Sequence, residues 1–433
     1  MPMNAFTSRP GTVSWRRVRD LSDGRGILLV LALGIALVVR VLTDDRSAPD
    51  SRNTGSLNLS GVIAVIFILT AAAMLLRHRR GVLPSLLAAA WLCTWTAIAV
   101  GTHGASTETL REGVREASVA ALAVIVYNAR GAISVSAATR VVQLAGLVPA
   151  VIALYQLASH TGLDIASELR ANGTFAHPNS AAMFFAIAGA ASLWRYLDSG
   201  RSRLDALMTL LFLAAVIATY SIDGVITVIV MLIALGILRR GSFRANLGPY
   251  VVAVAVALAF FVTPLGAQRI AKESATNVAT AEHEEANSSL AWRLNKWKTL
   301  IPEWESAPVL GHGIGTTTTG TRVPGNQFIG VLPHNEYIRY LVETGVAGVL
   351  VLLFALAMLT RALLRRRREQ LPDRCVSDAA ILAIVVVLGC LVNSLADNAL
   401  LDSTTGYATA LIVIAAISIP AARSPRPSAP ATG

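Results

Sequence analysis

The sequence predicts an all-α integral membrane protein with about twelve transmembrane helices and one long extracytoplasmic loop. Three observations predict it. Of the 433 residues, 54% are hydrophobic and only 15% are charged, whereas soluble domains are about a quarter charged. Apolar runs near the roughly 20 residues needed to cross a bilayer recur along the chain. The basic residues, nearly all arginine, gather on one side of those runs, as cytoplasmic loops require.

The apolar runs fall at about 26–42, 58–76, 82–100, 116–130, 140–158, 179–197, 204–219, 222–238, 249–265, 336–360, 377–396 and 402–420. With the N-terminus cytoplasmic, the segments 1–25, 77–81, 129–140, 195–203, 239–248, 361–376 and 421–433 are inside and hold 24 of the 37 Lys and Arg. The short outside loops hold Arg46, Arg52, Arg111, Arg115 and Arg170. A span miscounted in mid-chain would put Arg77–Arg80 opposite Arg365–Arg368, so twelve spans with both termini cytoplasmic is the consistent solution. The first run follows Arg16, Arg17, Arg19 and Arg25 and lacks a small-x-small cleavage site, which makes it a signal anchor. The chain then divides into a cytoplasmic tail 1–25, spans one to nine in 26–265, the loop 266–335, spans ten to twelve in 336–420, and a Pro/Ser/Ala-rich tail 421–433 of disordered composition. The expected location is the cytoplasmic membrane, crossed many times.

A net charge of +11 would suggest nucleic acid in a soluble chain. Here no basic stretch is interleaved with stacking aromatics, so no nucleic-acid partner is expected. Cys93 and Cys390 fall in spans and Cys375 in a cytoplasmic loop, which leaves no expectation of a disulfide or a cysteine metal site.

The loop 266–335 is the one connection unlike the others, and loops of this length are commonly functional. Its Ala/Glu/Asn/Thr-rich part, Lys272–Ser289, reads as mobile. Leu290, Leu294, Trp297, Ile301 and Trp304 then recur at helical spacing, predicting an amphipathic helix in the membrane interface. Arg293 and Lys296 fall on another face of it.

Three constellations carry chemistry. The first is His334-Asn335 followed by Gly345 and Gly348, where the loop enters span ten behind Pro333. An imidazole there can take a proton from a hydroxyl near neutral pH, and the glycines would let the span approach a neighbour closely. The second is Arg293, with the turn Pro308–Gly315 offering backbone N–H groups to an anion; arginine forks fit phosphate oxygens. The third is Arg170 through Asn179, including His177, where Asn179 could cap the sixth span. The topology puts all three at one face. They suit an acceptor hydroxyl attacking a sugar whose leaving group is a lipid diphosphate, with His334 as base and Arg293, helped by Arg170 or Arg339, neutralising the diphosphate. There is no Asp-x-Asp pair to hold a metal–nucleotide sugar and no P-loop, so no metal or cofactor is expected and the donor itself must be activated.

Three segments, GTFAHPNSAAMF (173–184), SLAWRLNKWKTLIPEWESAPVLGHGIG (289–315) and HNEYIRYLVETGVAG (334–348), resemble the O-antigen ligase family, over roughly residues 165–360. The resemblance implies a metal-independent membrane glycosyltransferase of the C type, with His334 and Arg293 in the essential loop positions. It also implies a polyprenyl-diphosphate-linked glycan as donor, a glycan or lipid-linked acceptor, and membrane lipid around the protein. Arg170, His177, Asn179, Lys296, Arg322, Asn335 and Arg339 are the expected substrate-binding residues. One departure stands out. Ser221-Ile222-Asp223-Gly224 places Asp223 where many members carry an arginine, and Arg170, Arg322 or Arg339 would have to substitute. The family leaves ligase and polymerase open, with the His-Asn-x9-Gly-x-x-Gly spacing tilting to ligase. Two other readings remain: a polyprenyl-monophosphate glycosyltransferase using Asp44-Asp45, and a transporter, which spans almost free of charge argue against.

Overall fold

Each of the twelve apolar runs overlaps a helix of the computed structural model, which describes residues 24–44, 59–78, 81–129, 132–165, 168–198, 202–239, 246–274, 289–319, 333–369, 374–400 and 402–418. In chain order the helices are α1 (Gly24–Leu42), α2 (Leu59–His78), α3 (Val82–His103), α4 (Thr107–Asn128), α5 (Val135–Ala158), α6 (Pro178–Asp198), α7 (Arg203–Ala218), α8 (Ile222–Leu238), α9 (Leu247–Val262), α10 (Pro264–Ser274), α11 (Ser289–Ser306), α12 (Thr316–Thr319), α13 (Glu336–Glu369), α14 (Arg374–Asn393) and α15 (Ser403–Ser418). By length and hydropathy α2, α3, α5, α6 and α13 each suffice to cross a membrane, α9 with α10 would as a bent pair, and α1, α8, α14 and α15 are shorter apolar helices. This is a multi-pass membrane protein.

Local signals start the helices where the sequence places them. Ser106, Ser134, Ser202 and Ser221 each accept a backbone N–H three residues on, satisfying a donor that has no partner within its own helix. The bundle closes around α6, apolar on every side and therefore central. Its run of Ala181, Ala182, Ala186, Ala188, Gly189, Ala190 and Ala191 is wholly buried and lets α5, α7, α8, α14 and α15 pack closely upon it. The outer helices α2 and α3 instead expose Leu69, Leu76, Leu83 and Leu86, as surfaces facing lipid do.

Several details differ from the sequence reading. An antiparallel hairpin, β1 (Leu163–Ile165) with β2 (Glu168–Arg170), pairs Leu163 with Arg170 in what was expected to be all-α. The ninth run ends at Val262, and the chain bends by 81° into α10; Thr263 accepts the Gly266 N–H ahead of Pro264, an N-cap followed by Pro at the first helical position. The amphipathic helix exists as α11, but its buried stripe is Ala291, Lys296 and Leu300, with Leu290 and Ile301 exposed. The inward face is therefore rotated towards the one assigned to Lys296. The segment expected to be mobile lies largely outside the described residues, as do both tails.

Buried charge is also more plentiful than expected. Asp205, fully buried, pairs with Arg140 at 2.8 Å and Arg195 at 3.2 Å. Arg339 is enclosed by carboxylates of Glu336, Glu343 and Glu116. These ions are paired, which is the condition for burying them, so the helices are not nearly free of charge and that argument against transport lapses.

Candidate active site

The site assembles where β1–β2, the start of α6, α11, the entry to α13 and the turn between α14 and α15 meet. His334 stands at its centre. Its Nδ1 lies 2.7 Å from Asp397 Oδ1. A carboxylate only accepts, so Nδ1 carries the proton and Nε2 keeps its lone pair. Burial pushes the Asp397 carboxyl up, but the hydrogen bond from His334, helped by the charge of Arg293, outweighs it and holds the group below the usual carboxylate range. The backbone of His334 adopts φ +48°, an uncommon conformation for a non-glycine residue. It is held there by Asn398 Oδ1, which accepts the His334 N–H at 2.8 Å. Trp292 of α11 meets the ring edge-on, centroids 5.4 Å apart, and Trp297 Nε1 donates to Pro333 O at 2.8 Å.

A second imidazole faces the first, with His177 and His334 centroids 5.7 Å apart. His177, not Asn179, caps α6: its Nδ1 accepts the Asn179 N–H at 3.2 Å. Burial, then the neighbouring His334, Arg170 and Arg293, depress it to about 3. It is therefore neutral, with its free N–H on Nε2. Asn179 Oδ1 instead accepts from Arg170 Nη2 at 2.8 Å, with Ser221 Oγ 3.1 Å away. Arg170 also donates to Thr219 O at 3.0 Å; burial first, then Arg269 and Arg293, lower it to about 10, so it stays charged. Asp223 takes the Ser221 hydroxyl at 2.6 Å and leaves its other oxygen without a partner.

Arg293 completes the group. Its charge acts on Arg170, His177 and Asp397, yet among the described residues it makes no hydrogen bond or ion pair. A relay of ion pairs places it: Glu168 on β2 binds Arg269 and, at 3.1 Å, Lys272 of α10. Glu273 then accepts the Ser289 and Leu290 N–H groups at 3.2 and 2.8 Å, capping α11. The strand holding Arg170 and the helix holding Arg293 are thus tied together. Lys296 is buried on α11, and burial lowers its pKa.

Two expected ligands are not brought to this group. Arg339 is fully buried, at 2.5 Å from Glu336, 2.9 Å from Glu343 and 3.4 Å from Glu116, so its guanidinium is occupied. Asn335 caps α13, accepting the Ile338 N–H at 3.0 Å and donating to Leu395 O. Arg322 lies outside the described residues. The turn Pro308–Gly315 does not present its N–H groups to an anion either. They go to Ala307 O, Val342 O, Glu343 O and Trp95 O.

Residues 207–353 match a family model described as O-Antigen ligase. Over those residues, about a third of its length, the chain is similar to the O-antigen ligase family. The match contains α11, His334 and Asp223, while the segment 173–184 lies outside it. A comparison with curated proteins gave no match. The similarity to O-antigen ligases accords with the resemblance drawn from the 289–315 and 334–348 segments.

Asp397 and Asn398 are the site residues that sequence reasoning missed. Their signal was present: adjacent polar residues in a short turn between two apolar runs, on the face assigned to His334. Asp44 is also reassigned. It pairs with Arg40 at 2.5 Å, accepts Thr404 Oγ1 at 3.1 Å and accepts the Ala176 N–H at 3.1 Å. It supports the segment bearing His177, whereas Asp45 lies outside the described residues.

Proposed function

We propose that this protein transfers a polyprenyl-diphosphate-linked glycan to an acceptor hydroxyl at the outer face of the cytoplasmic membrane. The observation that carries the reading is the His334–Asp397 pair, with Arg293 acting on it and making no hydrogen bond or ion pair among the described residues. The acceptor oxygen bonds to the anomeric carbon as the bond from that carbon to the diphosphate oxygen breaks. The acceptor proton passes to His334 Nε2, and Asp397 stabilises the imidazolium. Arg293, with Arg170 behind it, meets the charge that develops on the leaving diphosphate. His177 offers its Nε2–H to a substrate oxygen while adding no charge. Twelve spans with both termini cytoplasmic complete the proposal, since that topology alone puts the site where lipid-linked donors are presented.

The test replaces His334 and Arg293 by alanine in cells and reads surface glycan as a chain-length ladder. Loss of attached glycan with long lipid-linked chains retained is expected for a ligase. Single repeats only would make the protein a polymerase of the same family. Unchanged glycan with His334→Ala would sink both, and glycan still crossing the membrane in that variant would favour transport.

A further inference from the structure

Asn398 is 5% exposed and its side chain is half used. Oδ1 accepts the His334 backbone N–H at 2.8 Å. That contact fixes the orientation of the amide, because only the oxygen can face an N–H. The opposite end is therefore a donor, and Nδ2 is buried without a partner. Buried polar groups are nearly always paired, and the exceptions call for a reason. Two more such atoms, Asn393 Oδ1 and Ser394 Oγ, lie just before Asn398, where α14 gives way to the turn. Unpaired polar atoms thus gather on the segment that frames the imidazole. The charge nearby is positive: Arg293 acts on the adjoining Asp397 and on His177.

We propose that Asn398 contacts the substrate, its Nδ2 donating a hydrogen bond to a phosphate oxygen of the lipid diphosphate. This rests on the transferase reading above. A neutral amide adds a directed donor without adding charge, complementing the guanidinium of Arg293. It also accounts for why one residue holds the His334 backbone: the base and the leaving group are then registered by a single side chain.

The experiment uses the full chain in detergent and measures binding of undecaprenyl diphosphate and undecaprenyl monophosphate, carrying no glycan. It is done in a His334→Ala background, where the orientation of the imidazole no longer matters. Adding Asn398→Ala is expected to weaken binding of the diphosphate lipid about tenfold or more, and the monophosphate lipid less. Asn398→Asp, which retains an acceptor for the His334 N–H, is expected to weaken it at least as much. Unchanged diphosphate binding in both variants would overturn the inference, since the donor would then be satisfied by a water alone, and would leave the transferase reading standing. No preference of the His334→Ala protein itself for diphosphate over monophosphate would remove that reading and this inference together.

Discussion

An imidazole becomes a base towards a hydroxyl only when its other nitrogen is occupied by a proton and held. In this protein Asp397 does the holding, 2.7 Å from His334 Nδ1. Asp397→Asn preserves the shape but can donate to Nδ1, favouring the tautomer with the proton on Nε2. Turnover is expected to fall about a hundredfold to ten-thousandfold while binding of the lipid-linked donor persists, which steady-state transfer assays alongside lipid binding would separate. An equal loss of both would make Asp397 a structural residue. His177 adds a pH effect of definite sign. Its folded value, about 3, lies far below the ordinary 6.5, so the unfolded chain binds the extra proton. Stability is therefore full above about pH 6.5 and declines as pH falls towards the folded value. Unfolding temperatures between pH 7 and pH 4 are expected to drop less steeply in His177→Gln than in the native protein.

At the scale of elements, the notable feature is a broken helix. α13 runs from Glu336 to Glu369, yet Gly345 has φ +61° and ψ −171°. The glycine does not serve close helix packing, as its sequence setting suggests; it breaks the helix into a short arm and a long apolar arm. Breaking a helix leaves carbonyls and N–H groups unpaired, and the turn after α11 supplies them. His312 and Gly313 donate to Val342 O and Glu343 O, while Pro308 O and Val309 O accept from Val346 and Ala347. A Cβ on Gly345 would lie 2.3 Å from Val309 O, and one on Gly313 would lie 2.2 Å from Ala99 N. Gly345→Ala is expected to cost more than about 1 kcal/mol, seen as a lower unfolding temperature, whereas Gly248→Ala, with nothing within 4 Å of the added carbon, should be neutral or better. Equal behaviour of the two variants would mean the break is not required.

Across the whole molecule, distant parts of the chain are joined by buried charged groups and the hydrogen bonds they accept, as well as by apolar packing. Asp44, after the first helix, reaches Arg40, Thr404 of the last helix and the backbone of Ala176. Removing one partner of a buried pair leaves the other charged and unpaired, at about 3–5 kcal/mol. Asp44→Ala should therefore lower the unfolding temperature markedly, and Arg40→Met with Asp44→Leu should recover much of it. An Asp44→Ala protein of native stability with no transfer activity would instead make Asp44 part of the chemistry, as the monophosphate-sugar reading requires.

The helices and the membrane setting were legible in the residues themselves, because apolar length and the position of arginines are local quantities. His334, Arg293 and Arg170 could be picked out as candidates too, since a chemistry-bearing residue in an apolar chain stands out by type. The roles of their neighbours were not. Arg339 and Arg293 look alike in sequence, and only packing encloses one with three carboxylates and leaves the other without an ion pair among the described residues. Asp397 lies 63 positions from His334, and no periodicity carries that pairing. The residue types present at the site belong to the sequence; which charges are neutralised, which helix is broken and which nitrogen is left free were decided by the tertiary structure, because each depends on contacts between segments far apart in the chain.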